Sequence, residues 1–493
     1  MTMGDGIRRK EAWAIGCVGA LAAILLPGCA SYTDRIRLAR ADYAAGNYPG
    51  AIAAIAPEDC ESGKDQLIFL LERGTVKQAQ GDFVGSNEDF EHAYLVITDF
   101  EERAKISLRD GLNETQAALV NDTVLPYKGG GFEKMLLHVM KAINYLMLGD
   151  LEGARVEIKR LDERRNIEKE AHAREISRAE EKAQEEKLPA DQVSSVEKNL
   201  FNAYGPALLI AQRVQSLYLS PFGSFVSSLV YDIQGEYDEA LVDTRRVLEE
   251  APQFAAAALD AYSLGADDLP APPVSLDLRK TGDLVIFFHC GLAPEKVEVS
   301  IPIPVGDAWI ALAFPVYAAI PTAVDHADVF IDGAPAGSTR LVGDVEAQAV
   351  KSLVEQAPAL VIRQMIRAVV KGVAANVAEQ ENGWAGFLVS MYNILSEQAD
   401  LRSWLTLPKN LQALRFYPPV GKHTVKIAMV DFGGRILGEV ERELDFANDR
   451  ICLVNVRGIG FTPIFPNGLN ITAQWQTLPR VPLSGRPRFV IHP

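Results

Sequence analysis

The side chains that could carry chemistry in this chain are few and scattered. Its five cysteines, Cys17, Cys29, Cys60, Cys290 and Cys452, show no Cys-x-x-Cys spacing, so they give no metal-site signal. No G-x-S-x-G elbow and no H-E-x-x-H pair occurs. His326 stands near Asp325 and Asp328, which are metal-ligand types, but a surface turn is the plainer reading. Gly129-Gly130-Gly131 precedes a helical run and could cradle a phosphate on backbone N–H groups. It lacks the Gly-Lys-Ser/Thr of a phosphate-binding loop, and no strand precedes it, so we read a joint before a helix over Phe132–Leu148. The 65 acidic residues leave a glycosidase-type carboxylate pair open, yet no motif selects one. These residues predict a protein that is not an enzyme and holds no cofactor or metal.

Cys29 is the exception. Arg8, Arg9 and Lys10 precede an apolar stretch from Ala12 to Leu26, the layout of a secretory signal. The stretch is shorter than the roughly 20 residues of a membrane-spanning helix. Leu26-Pro27-Gly28-Cys29 resembles the bacterial lipoprotein box. That resemblance implies a diacylglycerol on the Cys29 thiol, cleavage before it and acylation of the new amine. Two or more acyl chains anchor stably where one does not. Ala30 rather than Asp after the cysteine implies the outer membrane, with the body facing the periplasm. The expected partners are therefore the membrane, through Cys29, and envelope proteins, other lipoproteins among them. Nucleic acid is excluded, because a net charge of −16 offers phosphates no basic face.

The elements that would position any site fall into two halves. From Tyr32 to Ser263 the pattern is helical, and four turns resemble those of tetratricopeptide repeats. They are Gly46 to Ala51, Gly81 to Ser86, Gly149 to Ala154 and Gly235 to Ala240. Each glycine (Gly46, Gly81, Gly149, Gly235) ends a helix in a conformation other residues resist. A large apolar residue then opens the next helix, and a small one (Ala51, Ala154, Ala240; Ser86 in the second unit) allows close approach. Only Gly46 and Gly81 lie about one repeat period of ~34 residues apart, so the array is irregular. A stacked array leaves a concave face for partners. Ile167–Lys198, rich in Glu, Lys and Arg, reads as a solvated helix.

Tyr127-Lys128-Gly129-Gly130-Gly131-Phe132-Glu133-Lys134-Met135, then Gly149-Asp150 and Gly153-Ala154-Arg155, form one distinctive string. Asp400-Leu401-Arg402-Ser403-Trp404-Leu405-Thr406-Leu407-Pro408 forms a second. Together they resemble a family of poorly characterised bacterial outer-membrane lipoproteins with tetratricopeptide-like repeats. The resemblance spans most of the mature chain and implies an envelope assembly role without enzyme activity.

Beyond the Pro- and Asp-rich Gly265–Val274 the period shortens to that of strands. Expected strands are Asp283–His289, Lys296–Val305, Ala327–Ile331, Thr424–Val430, Arg435–Asp445 and Ile451–Val456. A helical segment interrupts them. There Ile362, Met365, Ile366, Val369, Val370 and Val373 form an apolar face, and Arg363, Arg367 and Lys371 a neighbouring basic face, which could meet anionic lipid heads or an acidic partner but reads more plainly as the solvated side of a packed helix. Asp400, Arg402 and Trp404 are expected to order the return to the sheet, with Arg402 stacked on Trp404. Cys290 and Cys452 could bridge or remain buried thiols.

The expected fold class is α+β: an all-α tetratricopeptide-like array, then a β-sandwich-like domain with a helical insert. The boundaries are a signal peptide over 1–28, helices over 29–264, β structure over 265–342 and 412–457, an insert over 343–411 and a Pro-rich tail over 458–493. The function this points to is a lipid-anchored scaffold that binds protein partners in a helical groove. A cell-wall glycan binder or peptidoglycan-active enzyme is the alternative.

Overall fold

The computed structural model describes residues 32–109, 122–305, 308–381 and 398–492. The chain is α+β, with helices in its N-terminal part and sheets in its C-terminal part. Cys29 lies outside the described residues. Among those described, no helix is long and apolar enough to cross a membrane.

Twelve helices precede the first strand among the described residues. They are α1 (Tyr32–Ala44), α2 (Tyr48–Ala53), α3 (Pro57–Glu61), α4 (Gln66–Gln80), α5 (Phe83–Arg109), α6 (Gly131–Leu148), α7 (Leu151–Glu185), α8 (Ala190–Tyr204), α9 (Ala207–Ala211), α10 (Pro221–Gln234), α11 (Tyr237–Glu250) and α12 (Ala256–Ser263). The pairs α1/α2, α4/α5, α6/α7 and α10/α11 are antiparallel hairpins closed at Gly46, Gly81, Gly149 and Gly235. Those glycines take φ of 78°, 93°, 81° and 80°, the left-handed region that glycine enters without steric cost. Ala51, Ser86, Ala154 and Ala240 are fully buried. Gly74 sits under the Phe90 ring, where a Cβ would lie 2.5 Å from it, and Gly153 under Tyr145 in the same way.

The strands are β1 (Leu276–Asp277), β2 (Asp283–Cys290), β3 (Glu295–Val305), β4 (Ala308–Ala318), β5 (Val324–Ile331), β6 (Ala334–Ser338), β7 (Arg340–Gly343), β8 (Asn410–Phe416), β9 (Gly421–Asp431), β10 (Ile436–Phe446), β11 (Arg450–Ile459), β12 (Asn470–Pro479) and β13 (Val490–Ile491). The helix α13 (Val345–Glu381) stands between β7 and β8. One sheet has the order β12-β11-β2-β8-β7 and a second the order β10-β9-β5-β6. β3 and β4 form a separate ribbon that packs on α8 and α13.

Every residue of β2 is buried because the five-stranded sheet is covered on both faces. Val285 and Phe287 point to the helices, where Phe287 meets Phe222 and Phe225 of α10. Leu284, Ile286 and Phe288 point the other way, into a core shared with the four-stranded sheet. The inner helices α4, α6 and α10 are thereby buried along nearly their whole length. The side of the array that a partner was expected to enter is covered by the chain's own sheet. A row of hairpins leaves apolar inner surface, and the nearest apolar sheet buries it.

Several expectations need correction. The β structure does not stop at 457: the Pro-rich tail from Gly458 continues β11, forms β12 and returns as β13 against β1. Residues 398–409 are loop and β8 begins at Asn410, so the described end of the insert is not helical. The basic face is only partly turned to solvent at its two described side chains. Arg363 donates to Glu175 of α7 at 2.9 Å, and Arg367 is buried. α13 is packed by α7, α8, α9 and β4, so more than one of its sides is covered. The side chain of Lys371 lies outside the described residues. Cys60, Cys290 and Cys452 are free, buried thiols. Cys290 pairs in register with Gly458, six residues along β11 from Cys452, too far for a bridge.

Candidate functional site

The two distinctive strings, far apart in sequence, meet at one open cleft. Its volume is about 270 Å³. Tyr127 to Gly130 form one wall, Asp400 and Arg402 another, and α13, β4 and Lys296 of β3 complete it. The loop before α6 is held where the Tyr127 N–H donates to the Lys64 carbonyl at 2.8 Å, and Gly129 turns it with φ of 75°.

Glu133, buried in the first turn of α6, ties the strings together. It accepts from the Gly130 N–H at 2.8 Å, from the Tyr127 hydroxyl and from the Trp404 N–H at 2.8 Å. The triple-glycine turn therefore carries its own carboxylate where a phosphate would bind. Burial and Glu133 push the Tyr127 hydroxyl well above its ordinary range.

Arg402 organises the second wall. It clasps Asp400 through Nε and Nη2 at 2.9 and 2.8 Å, and donates to Asp65 at 2.9 Å and to the Leu125 carbonyl at 3.0 Å. Its guanidinium lies over the Tyr127 ring, 5.4 Å from the centroid, rather than over Trp404 as expected. Burial would raise the Asp400 carboxyl, but Arg402 and Lys296 hold it below the usual range. Trp404 instead fills the space behind the cleft. Its indole N–H donates to Thr75 Oγ1 at 2.8 Å and its ring meets Phe90 edge-on at 5.7 Å. The Leu405 and Thr406 N–H groups donate to Glu72 of α4 at 2.7 and 2.9 Å. The segment Asp400–Leu407 thus lies in an inner groove of the helices, bound by two buried carboxylates.

The chemistry open to this cleft follows from what its groups already hold. Glu133 holds three donors, Asp400 is clasped by Arg402, and Glu175 pairs with Arg363. Lys128, at the rim, is exposed, and the Lys296 ammonium spends one hydrogen on the Arg402 carbonyl at 2.9 Å. Tyr127, Phe132 and Tyr317 supply aromatic surface. The arrangement suits binding of a polar or anionic segment.

The other sequence candidates stand elsewhere. His326 touches Asp325 and Asp328 at 2.9 and 3.1 Å on the outer face of β5. Among the described residues no group of three or more His, Cys, Asp or Glu could hold a metal ion. The repeat glycines lie in a row against β12. A Cβ on Gly46 would meet Asn470, on Gly81 Gln474, on Gly149 Leu478 and on Gly235 Val481. The turns rest on side chains of β12 and on Val481 just beyond it, and none borders the cleft. Sequence reasoning missed β12, although Ile471, Ala473 and Trp475 alternate with polar residues in strand fashion.

No family model, curated protein or solved structure matches this chain.

Proposed function

We propose that this chain is a lipid-anchored scaffold of the bacterial envelope, held at Cys29 in the outer membrane with its body in the periplasm. In this reading its hairpins are an irregular tetratricopeptide-like array and its paired sheets a β-sandwich-like domain. It belongs with the poorly characterised lipoproteins its two strings resemble, and it holds a protein partner rather than transforming a substrate. The partner site is the cleft between Tyr127–Gly130 and Asp400–Arg402, not the inner face of the hairpins. The observation that carries this is the convergence of both strings on one open cleft, while the inner helices are covered by the chain's own sheet.

The test is a photo-crosslinking amino acid at Lys128 in the native envelope, with the same group at exposed Leu209 as control. A discrete adduct from position 128 alone is expected. Adducts from both positions or from neither would overturn the cleft assignment. For the anchor, Cys29→Ala should lose incorporation of labelled palmitate and leave the membrane fraction; retained lipid would sink that part. A second reading, a cell-wall fragment in the same cleft, is favoured by Tyr127, Phe132 and Tyr317 along its walls. Saturable binding of soluble peptidoglycan fragments, lost in Lys128→Glu, would establish it in place of the protein partner.

A further inference from the structure

The four-stranded sheet ends on β10, an eleven-residue strand bonded on one side only, to β9. Among the described residues no element pairs with its other side. In an antiparallel pair alternate residues turn their N–H and C=O away from the partner strand. β10 therefore offers a row of unsatisfied backbone groups to solvent.

The side chains of β10 state what could pair there. Glu439, Glu441 and Glu443 share the outer face and are all exposed. Lys426 approaches Glu439 at 3.7 Å and Lys422 approaches Glu443 at 3.9 Å, both long and solvated. Exposed pairs of this kind hold little energy. Glu441 lies between them, with Lys426 as its register partner on β9. On the inner face Val440, Leu444 and Phe446 belong to the core between the sheets, while Arg442 is exposed. Two copies of β10 paired with acidic faces on one side would set glutamates opposite glutamates, a destabilising arrangement. The edge is thus closed to its own kind and open to the opposite charge.

We propose that the edge of β10 is a docking strand for an extended, basic segment of a partner protein. That segment adds as a fifth strand, with lysines or arginines at alternate positions over Glu439, Glu441 and Glu443. Main-chain hydrogen bonds supply the affinity and the alternate side chains the selectivity. This surface is separate from the cleft and does not depend on it.

The experiment uses the full chain and a fluorescein-labelled, strand-length peptide of alternating lysine and threonine, read by anisotropy. Saturable binding is expected, with none for the alternating glutamate–threonine peptide. N-methylating alternate backbone nitrogens of the lysine peptide should weaken it about tenfold or more, as should Glu439→Lys/Glu441→Lys/Glu443→Lys; tenfold is about 1.4 kcal/mol. The three side chains are exposed, so an unchanged melting temperature controls for folding. Hydrogen–deuterium exchange should show new protection within residues 436–446. Failure of the lysine peptide to bind overturns the proposal. So does equal binding of the N-methylated peptide, which would reduce the effect to bulk charge, and so does protection confined to other strands.

Discussion

Two buried polar clusters fasten helices to the β half, one joining α10 and α12 to the five-stranded sheet and one joining α4 and α6 to the loop before β8, and they do it by opposite electrostatics. At the C-terminal end of the array, Asp232 of α10, Asp260 of α12 and Asp283 of β2 meet Arg415 of β8 and Arg480 and Arg486 of the tail, with Tyr417 beside them. Asp232 accepts from Arg415 and Arg486 at 2.6 and 2.5 Å. Burial alone would raise its carboxyl, but the three guanidiniums drive it well below the ordinary range. At the other end, Glu72 and Glu133 bind backbone N–H groups and tyrosine hydroxyls, with no cation at ion-pair distance among the described residues. Burial raises the Glu72 carboxyl, against the lowering effect of its hydrogen bonds. A carboxylate surrounded by compensating charge is pinned in its ionised form. At Glu72, with no cation at ion-pair distance, burial outweighs the hydrogen bonds and the carboxyl keeps its proton longer.

The sharpest way to break this comparison is to remove one partner of the charged cluster. Asp232→Ala leaves buried guanidiniums uncompensated and should cost about 3–5 kcal/mol in urea unfolding. A loss below about 1 kcal/mol would mean that solvent reaches the cluster. Glu72→Gln keeps one acceptor oxygen and strands part of the Tyr32, Leu405 and Thr406 donor set, so about 1–3 kcal/mol is expected.

The pH dependence of these losses separates the two clusters. Asp232 is depressed in the fold, so its contribution is present above the usual aspartate range and fades as pH falls below it. The gap between the wild-type protein and Asp232→Asn should narrow in acid. Glu72 is raised in the fold, so the folded chain binds its proton more tightly and stability falls as pH rises above the usual glutamate range. The gap between wild type and Glu72→Gln should narrow towards alkaline pH. Gaps that move in the same direction would refute the contrast.

A smaller effect concerns Glu250, at the end of α11. Burial pushes its carboxyl from 4.5 to about 7, with Arg165 and Arg246 opposing. Folding then takes up a proton between those values, and stability declines across that window as pH rises. Glu250→Gln should flatten the decline in melting temperature from pH 5 to pH 8; an unchanged slope would count against it. The smallest effect is at Arg363, which is partly exposed and paired with Glu175. Arg363→Ala should cost no more than about 1 kcal/mol. A larger loss would mark α13 as tied to α7 chiefly through that pair.

Much of the local structure was legible in the residues themselves. The four hairpin turns could be read because glycine in the left-handed region, a large apolar residue and a small residue have local causes. Six strands, β2, β3, β5, β9, β10 and β11, could be read within a few residues from alternation. β4 was missed because Leu312, Phe314 and Val316 form an apolar run with Pro315 inside it, which masks a period of two. β12 was hidden among prolines. The cleft was half legible: Tyr127–Met135 and Asp400–Pro408 were distinctive strings, but nothing local said that they touch.

By itself the sequence determined the helix and strand segments, the helix-ending glycines, the acidic balance and the apolar stripe of α13, because each depends on neighbours within a few residues. The tertiary structure alone decided that the sheet covers the inner helices, that the turns rest on β12, and that Arg367 is buried. It also decided that Glu133 joins Tyr127 to Trp404. These outcomes turn on which apolar surfaces meet and which buried polar groups then find partners. Residues hundreds of positions apart settle such matters jointly, and no local pattern records the choice.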